Sequence, residues 1–127
     1  MGETPVLNNY NILIAEDDNS NYEYLRLLLS KTGATVHRAS DGEEAVSRYS
    51  EIKDLHLILM DIRMPKLNGH LATRKIRALG AKIPIIAQTA YATPEDIEKA
   101  MAHGCDDYIS KPIRKAAFFD KITRHLN

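Results

Sequence analysis

Cysteine is nearly absent: Cys105 is the only one in the chain. An internal disulfide is therefore excluded, which fits a reducing, cytoplasmic setting. Without a CxxC partner, Cys105 reads as a small residue near a helix end rather than a reactive thiol. The five histidines, at positions 37, 56, 70, 103 and 125, show no HxxxH pattern, so no zinc site is expected. No apolar run approaches the ~20 residues that span a bilayer. The opening MGETPVLNN lacks an apolar signal core, and Val6 stands where a myristoylation pattern needs Ser or Thr. Neither sign of charge dominates. Seventeen basic residues face seventeen acidic ones, which removes any electrostatic reason to expect nucleic acid or an anionic membrane as partner. Repeats, low-complexity tracts and linkers are missing too.

What remains is an ordinary globular composition, 44% hydrophobic and 27% charged over 127 residues, enough for one domain with one core. Apolar pattern and turn signals alternate along it. Asn11 to Ala15 predicts a strand, followed by a helix capped by Asn19 or Ser20, with Leu25, Leu28 and Leu29 on one face and Gly33 as its stop. Ala34 to Arg38 predicts a second strand. Asp41 and Glu44 form a capping box for a helix carrying Ala45 and Tyr49. His56 to Met60 is a third strand, and a helix runs from His70 to Leu79. Lys82 to Gln88 is a fourth strand. Thr93-Pro94 starts a helix that passes Ile97, Ala100 and Met101 and stops at Gly104. Tyr108 to Ser110 is a last strand, and Phe118, Ile122 and Leu126 mark a last helix. Five strands alternating with five helices imply an α/β, doubly wound (βα)5 domain over residues 11–127, after an extension of residues 1–10. Right-handed crossovers favour a parallel sheet of order 2-1-3-4-5.

In such a sheet ligands bind beyond the carboxyl ends of the strands, at the switch between strands one and three. Strand one ends in Glu16-Asp17-Asp18, and strand three ends in Asp61. Carboxylates about 4 Å apart repel by roughly 4 kcal/mol per pair at an effective dielectric of about 20. A hard cation offsets that without discharging the cluster, and Mg²⁺ suits one or two carboxylates plus water. One of the acids can cap the following helix, but three in a row together with Asp61 exceed what a cap needs. At the same edge strand four ends in Thr89 and strand five in Lys111. Metal, hydroxyl and ammonium together suit a dianionic phosphoryl group.

The motifs ILIAEDD, ILMDIRMPKLNG, IIAQTA and DDYISKP, spread over Asn11 to Leu126, closely resemble the receiver domain of two-component response regulators. The resemblance implies a flavodoxin-like fold in which Asp61 accepts a phosphoryl group from a histidine kinase or histidine phosphotransfer domain. It implies Mg²⁺ held by Glu16, Asp17, Asp61 and the carbonyl of Arg63, with Thr89 and Lys111 on the phosphoryl oxygens and a cis Lys111-Pro112 bond. It further implies a switch in which Thr89 moves to the phosphate, Tyr108 turns inward and the face of helix four, strand five and helix five changes, a face that can also pair two copies. The other reading of Tyr108 is an aromatic packed on helix five. Arg63 and Tyr91 occupy the positions that tune phosphate lifetime, and their lack of a carboxylate or amide to orient water implies slow self-hydrolysis. The other reading makes both ordinary loop residues.

Two rivals with related chemistry fit less well. A flavodoxin-type cofactor binder needs hydroxyls and backbone N–H groups in its first loop, whereas EDDNSN presents acids. A haloacid-dehalogenase-type phosphatase needs D-x-D-x-T after its first strand. A receiver-like interaction scaffold that works without phosphorylation is the alternative within the same fold. No output domain is expected in this sequence, and the IPIIAQTAYA segment resembles receivers of hybrid histidine kinases.

Overall fold

The computed structural model of the chain describes residues 4–126. The extension expected over residues 1–10 and the domain end expected at residue 127 reach beyond it, since residues 1–3 and 127 lie outside the described residues. Ten elements alternate: β1 (Asn11–Ala15), α1 (Asn19–Ser30), β2 (Thr35–Ala39), α2 (Gly42–Glu51), β3 (Leu55–Asp61), α3 (Gly69–Ala78), β4 (Ile85–Thr89), α4 (Pro94–Ala102), β5 (Asp107–Ser110) and α5 (Lys115–Leu126). The strands form one parallel sheet of order β2-β1-β3-β4-β5. That is the expected order.

The sheet is covered on both faces because its central strands alternate apolar side chains in both directions. Ile12, Ile14, Leu57, Leu59 and Ile86 point to α1 and α5, where they meet Leu25, Leu28, Leu29, Phe118, Phe119 and Ile122. Leu13, Ala15, Ile58, Met60, Ile85 and Ala87 point the other way, toward Ala45 of α2, Ala72 and Ile76 of α3 and Ala100 of α4. Each fully buried Leu or Ile contributes about 1.5–3 kcal/mol. Two apolar layers thus clamp the sheet.

Local signals explain most helix ends. Asp41 accepts from the Glu44 N–H at 2.8 Å, while the Glu44 carboxylate accepts from the Ser40 N–H at 2.8 Å. Thr93 caps α4 with Pro94 in its first turn. Gly33, at φ +87°, ends the turn after α1. Boundaries of β3, α3 and β5 fall one residue from expectation, and three more differ as well. Asp18, rather than Asn19 or Ser20, caps α1, accepting from the Ser20 N–H at 3.3 Å. β2 is shifted one residue, to Thr35–Ala39. Lys82 to Pro84 precede β4, and pairing with β3 begins at Ile85, because proline has no N–H to give to a ladder.

The stretch before β1 is tied down at the far end of the sheet. Leu7 is buried and its N–H reaches the Thr32 carbonyl at 2.7 Å. The Tyr10 hydroxyl donates to the Leu126 carbonyl at 3.2 Å, and the Asn11 N–H donates to Nδ1 of His56 at 2.9 Å.

Candidate functional site

Period-two alternation decides which strand-end side chains meet. Glu16 continues the Ile12, Ile14 series, Asp61 the Leu57, Leu59 series, and Gln88 follows Ile86 by two. All three face the α1 side, in a row across β1, β3 and β4, and Lys111 follows Ile109 in the same phase on the neighbouring strand. Glu16 and Gln88 are wholly buried and Asp61 nearly so, while Asp17 is exposed at the rim. Oxygens of Glu16, Asp17 and Asp61 all lie within 4.8 Å of one another. The Lys111 ammonium stands 3.1 Å from Asp61 Oδ1 and 3.5 Å from Glu16 Oε1. The Lys111-Pro112 bond is cis.

Burial, and then the adjoining Glu16 carboxyl, push Asp61 up to about 7 even with Lys111 beside it. Burial works against the Lys111 ammonium, but the charges of Asp61 and Glu16 outweigh it and hold Lys111 above its ordinary value. Formally, three carboxylates against one ammonium leave two negative charges. That is the deficit one divalent cation fills, and the all-oxygen donor set suits a hard ion.

The cluster opens into a cleft of about 530 Å³ lined by Asp17, Asp61, Arg63, Thr89, Tyr91, Tyr108 and Lys111 among others. Its floor is held by a close approach of α3 to β3. A Cβ on Gly69 would lie 2.1 Å from the Asp61 carbonyl oxygen, so only glycine fits there. Thr89 is not aimed at a free space: its hydroxyl donates to the Tyr91 carbonyl at 2.8 Å and accepts from the Tyr91 N–H at 3.1 Å. Arg63 sits over the Tyr91 ring, 5.3 Å from its centroid. Tyr108 is half-buried between the α4-side layer and Lys121, whose Nζ lies 4.2 Å from the ring centroid.

The model of the response regulator receiver domain family matches residues 12–123. The chain belongs to that family. It is 40% identical over 123 residues to hybrid signal transduction histidine kinase I of Dictyostelium discoideum, covering 91% of this chain but 7% of that protein. The receiver therefore spans a small fraction of the length of this curated relative. Among solved structures it resembles a co-crystal of the Saccharomyces cerevisiae histidine phosphotransfer signalling protein Ypd1 with the receiver domain of its response regulator Ssk1. That match has TM-score 0.90 and 34% identity, over 95% of this chain and 91% of that one. It also resembles the receiver domain of the sensor histidine kinase PA1611 of Pseudomonas aeruginosa PAO1, with magnesium coordinated in its active site cleft. There the TM-score is 0.84 and the identity 37%, over 92% and 97% of the two chains.

The chain is thus a receiver domain of the kind found in two-component systems. Among its described residues no helix is long and apolar enough to cross a membrane. Every residue singled out from sequence, namely Glu16, Asp17, Asp61, Arg63, Thr89, Tyr91, Tyr108 and Lys111, reaches this one edge of the sheet. Cys105 does not: it is buried against Thr73, and burial raises its thiol to about 11.

Three residues at the site went unremarked in the sequence. Arg38, from the end of β2, donates to the Glu16 carbonyl at 3.1 Å and the Asp17 carbonyl at 3.4 Å, with its guanidinium over the Tyr22 ring at 4.4 Å. It clamps the backbone of the acidic loop. Asn21 of α1 donates to Glu16 Oε1, and also to Gln88 Oε1 at 3.2 Å. For Gln88 a signal existed: a polar residue in the otherwise apolar IIAQT, in phase with Ile86.

Proposed function

We propose that this receiver takes a phosphoryl group from a phosphohistidine, on a histidine kinase or a histidine phosphotransfer protein, onto Asp61. A carboxylate oxygen of Asp61 forms the new P–O bond as the P–N bond breaks, and the donor imidazole leaves with the electron pair. The observation that carries this reading is a buried Asp61 set 3.1 Å from a lysine and within 4.8 Å of two further carboxylates, at the mouth of a cleft. Glu16, Asp17 and Asp61, with the carbonyl of Arg63, would hold Mg²⁺, which when bound balances the charge of the transferring group and aligns its oxygens.

Lys111 neutralises one phosphoryl oxygen, and Thr89 donates to another. To do so Thr89 gives up its hydrogen bond to the Tyr91 carbonyl, so phosphorylation and the loop after β4 are mechanically joined. About two negative charges arrive at the pocket. Tyr108 then turns inward from its place under Lys121, and the surface of α4, β5 and α5 changes for a downstream partner or a second copy.

The test is labelling by acetyl phosphate with Mg²⁺. Wild-type protein incorporates close to one phosphoryl group per chain, and Asp61→Asn incorporates none. Stoichiometric labelling of that variant at another residue would defeat the assignment.

A further inference from the structure

The polar residues beneath the acidic cluster are not all explained by metal binding or phosphoryl transfer. Gln88 is wholly buried in a strand whose other three fully buried residues are apolar, and its Nε2 has no hydrogen-bond partner among the described residues. A leucine there would avoid the cost of an unpaired buried amide. What the glutamine does supply is a carbonyl oxygen, 3.2 Å from Asn21 Nδ2. The same Asn21 nitrogen donates to Oε1 of Glu16, whose Oε2 accepts from the Asp18 N–H at 3.2 Å.

We propose that Asn21 and Gln88 form an amide bridge that positions the Glu16 carboxylate for its cation. Glu16 has few other holds. Its Oε1 also faces Lys111 at 3.5 Å, but Lys111 is the group that must be free to meet an incoming anion. Asn21 can fix the carboxylate only if its own side chain is fixed. The Gln88 carbonyl does that, reaching from β4 to the first turn of α1 across the tip of β3. Both amides are neutral, so they orient Glu16 without cancelling the charge that attracts the cation. Partners that orient a metal-binding carboxylate influence affinity strongly, commonly by 10–100-fold. Asn21 and Gln88 are positioning residues in this scheme.

The inference rests on the magnesium reading above, and its test separates the two. Mg²⁺ affinity is measured by NMR titration for wild type, Asn21→Leu, Gln88→Leu and the double variant, beside the melting temperature of each without metal. The expected result is a loss of affinity of about tenfold in either single variant, with the double variant no worse than the weaker single, because one bridge is removed either way. Acetyl phosphate labelling then needs more Mg²⁺ for half-saturation but reaches the wild-type rate at saturation. Gln88→Met, closer in volume, replaces any variant that fails to fold. Folded variants with wild-type affinity, or losses that add in the double variant, overturn the bridge and leave the function of Asp61 standing. A wild-type protein that binds no Mg²⁺ overturns both.

Discussion

At the scale of single residues, the proposed transfer puts Asp61 under two opposed demands. It must be buried enough to exclude water and ionised enough to attack. Its pKa, pushed up to about 7 from an ordinary 3.8 chiefly by burial, records that conflict. Between about pH 4 and pH 7 the folded state keeps a proton that the unfolded chain releases, so raising the pH through that window costs stability. Asp61→Asn carries no such proton. In EDTA, its melting temperature should match wild type near pH 4 and exceed it by several degrees at pH 8, taking ~1 kcal/mol as roughly 4 °C for a domain of this size. Added Mg²⁺ should raise the wild type at pH 8 and leave the variant unmoved. A difference that stays constant with pH would show that burial is not the cause. The candidate acids, Thr89 and Lys111 were all legible, because a charged or hydroxyl residue ending an apolar strand is a local signal. Asn21 was not, because an asparagine in the first turn of a helix looks like surface.

Elements carry the next layer. The loops after β3 and β4 touch across the cleft where Arg63 covers Tyr91 at 5.3 Å, and in the proposed reaction both side chains would flank the path of a hydrolytic water. Neither side chain can act as a base toward that water. We expect the phosphorylated protein to lose its group slowly. Tyr91→Glu should shorten the half-life several-fold in a phosphate-release assay, and a wild type that hydrolyses faster than this variant would rule the idea out. Element ends were legible to the extent that their signals were local. The α2 capping box and the Thr93-Pro94 start needed only neighbours in sequence. The α1 cap and the start of β4 were misplaced. Asp18 caps α1 because its N–H is already held by Glu16, and β4 begins where β3 offers it a ladder.

Across the whole molecule, function occupies one end of the sheet. The opposite end is fastened by Leu7, Tyr10 and His56, and the face proposed to change on phosphorylation lies along α4, β5 and α5. On that face Lys121 bonds Asp107 at 2.8 Å and the Tyr108 carbonyl while covering the Tyr108 ring. Beryllofluoride with Mg²⁺, as a phosphoryl mimic, should therefore shift NMR signals of Thr89, Tyr108 and Lys121, and leave those of Leu7, Tyr10 and His56 in place. Shifts confined to the acidic pocket would leave the proposed switch without support.

By itself the sequence determined the alternation of strands and helices, the parallel sheet and the identity of the strand-end chemistry, since each follows from periodicity and short-range turn chemistry. Only the tertiary structure decided that Arg38 grips the acidic loop and that Asn21 and Gln88, 67 positions apart, meet over Glu16. Those contacts depend on helix placement and side-chain direction in three dimensions, which no run of neighbouring residues encodes.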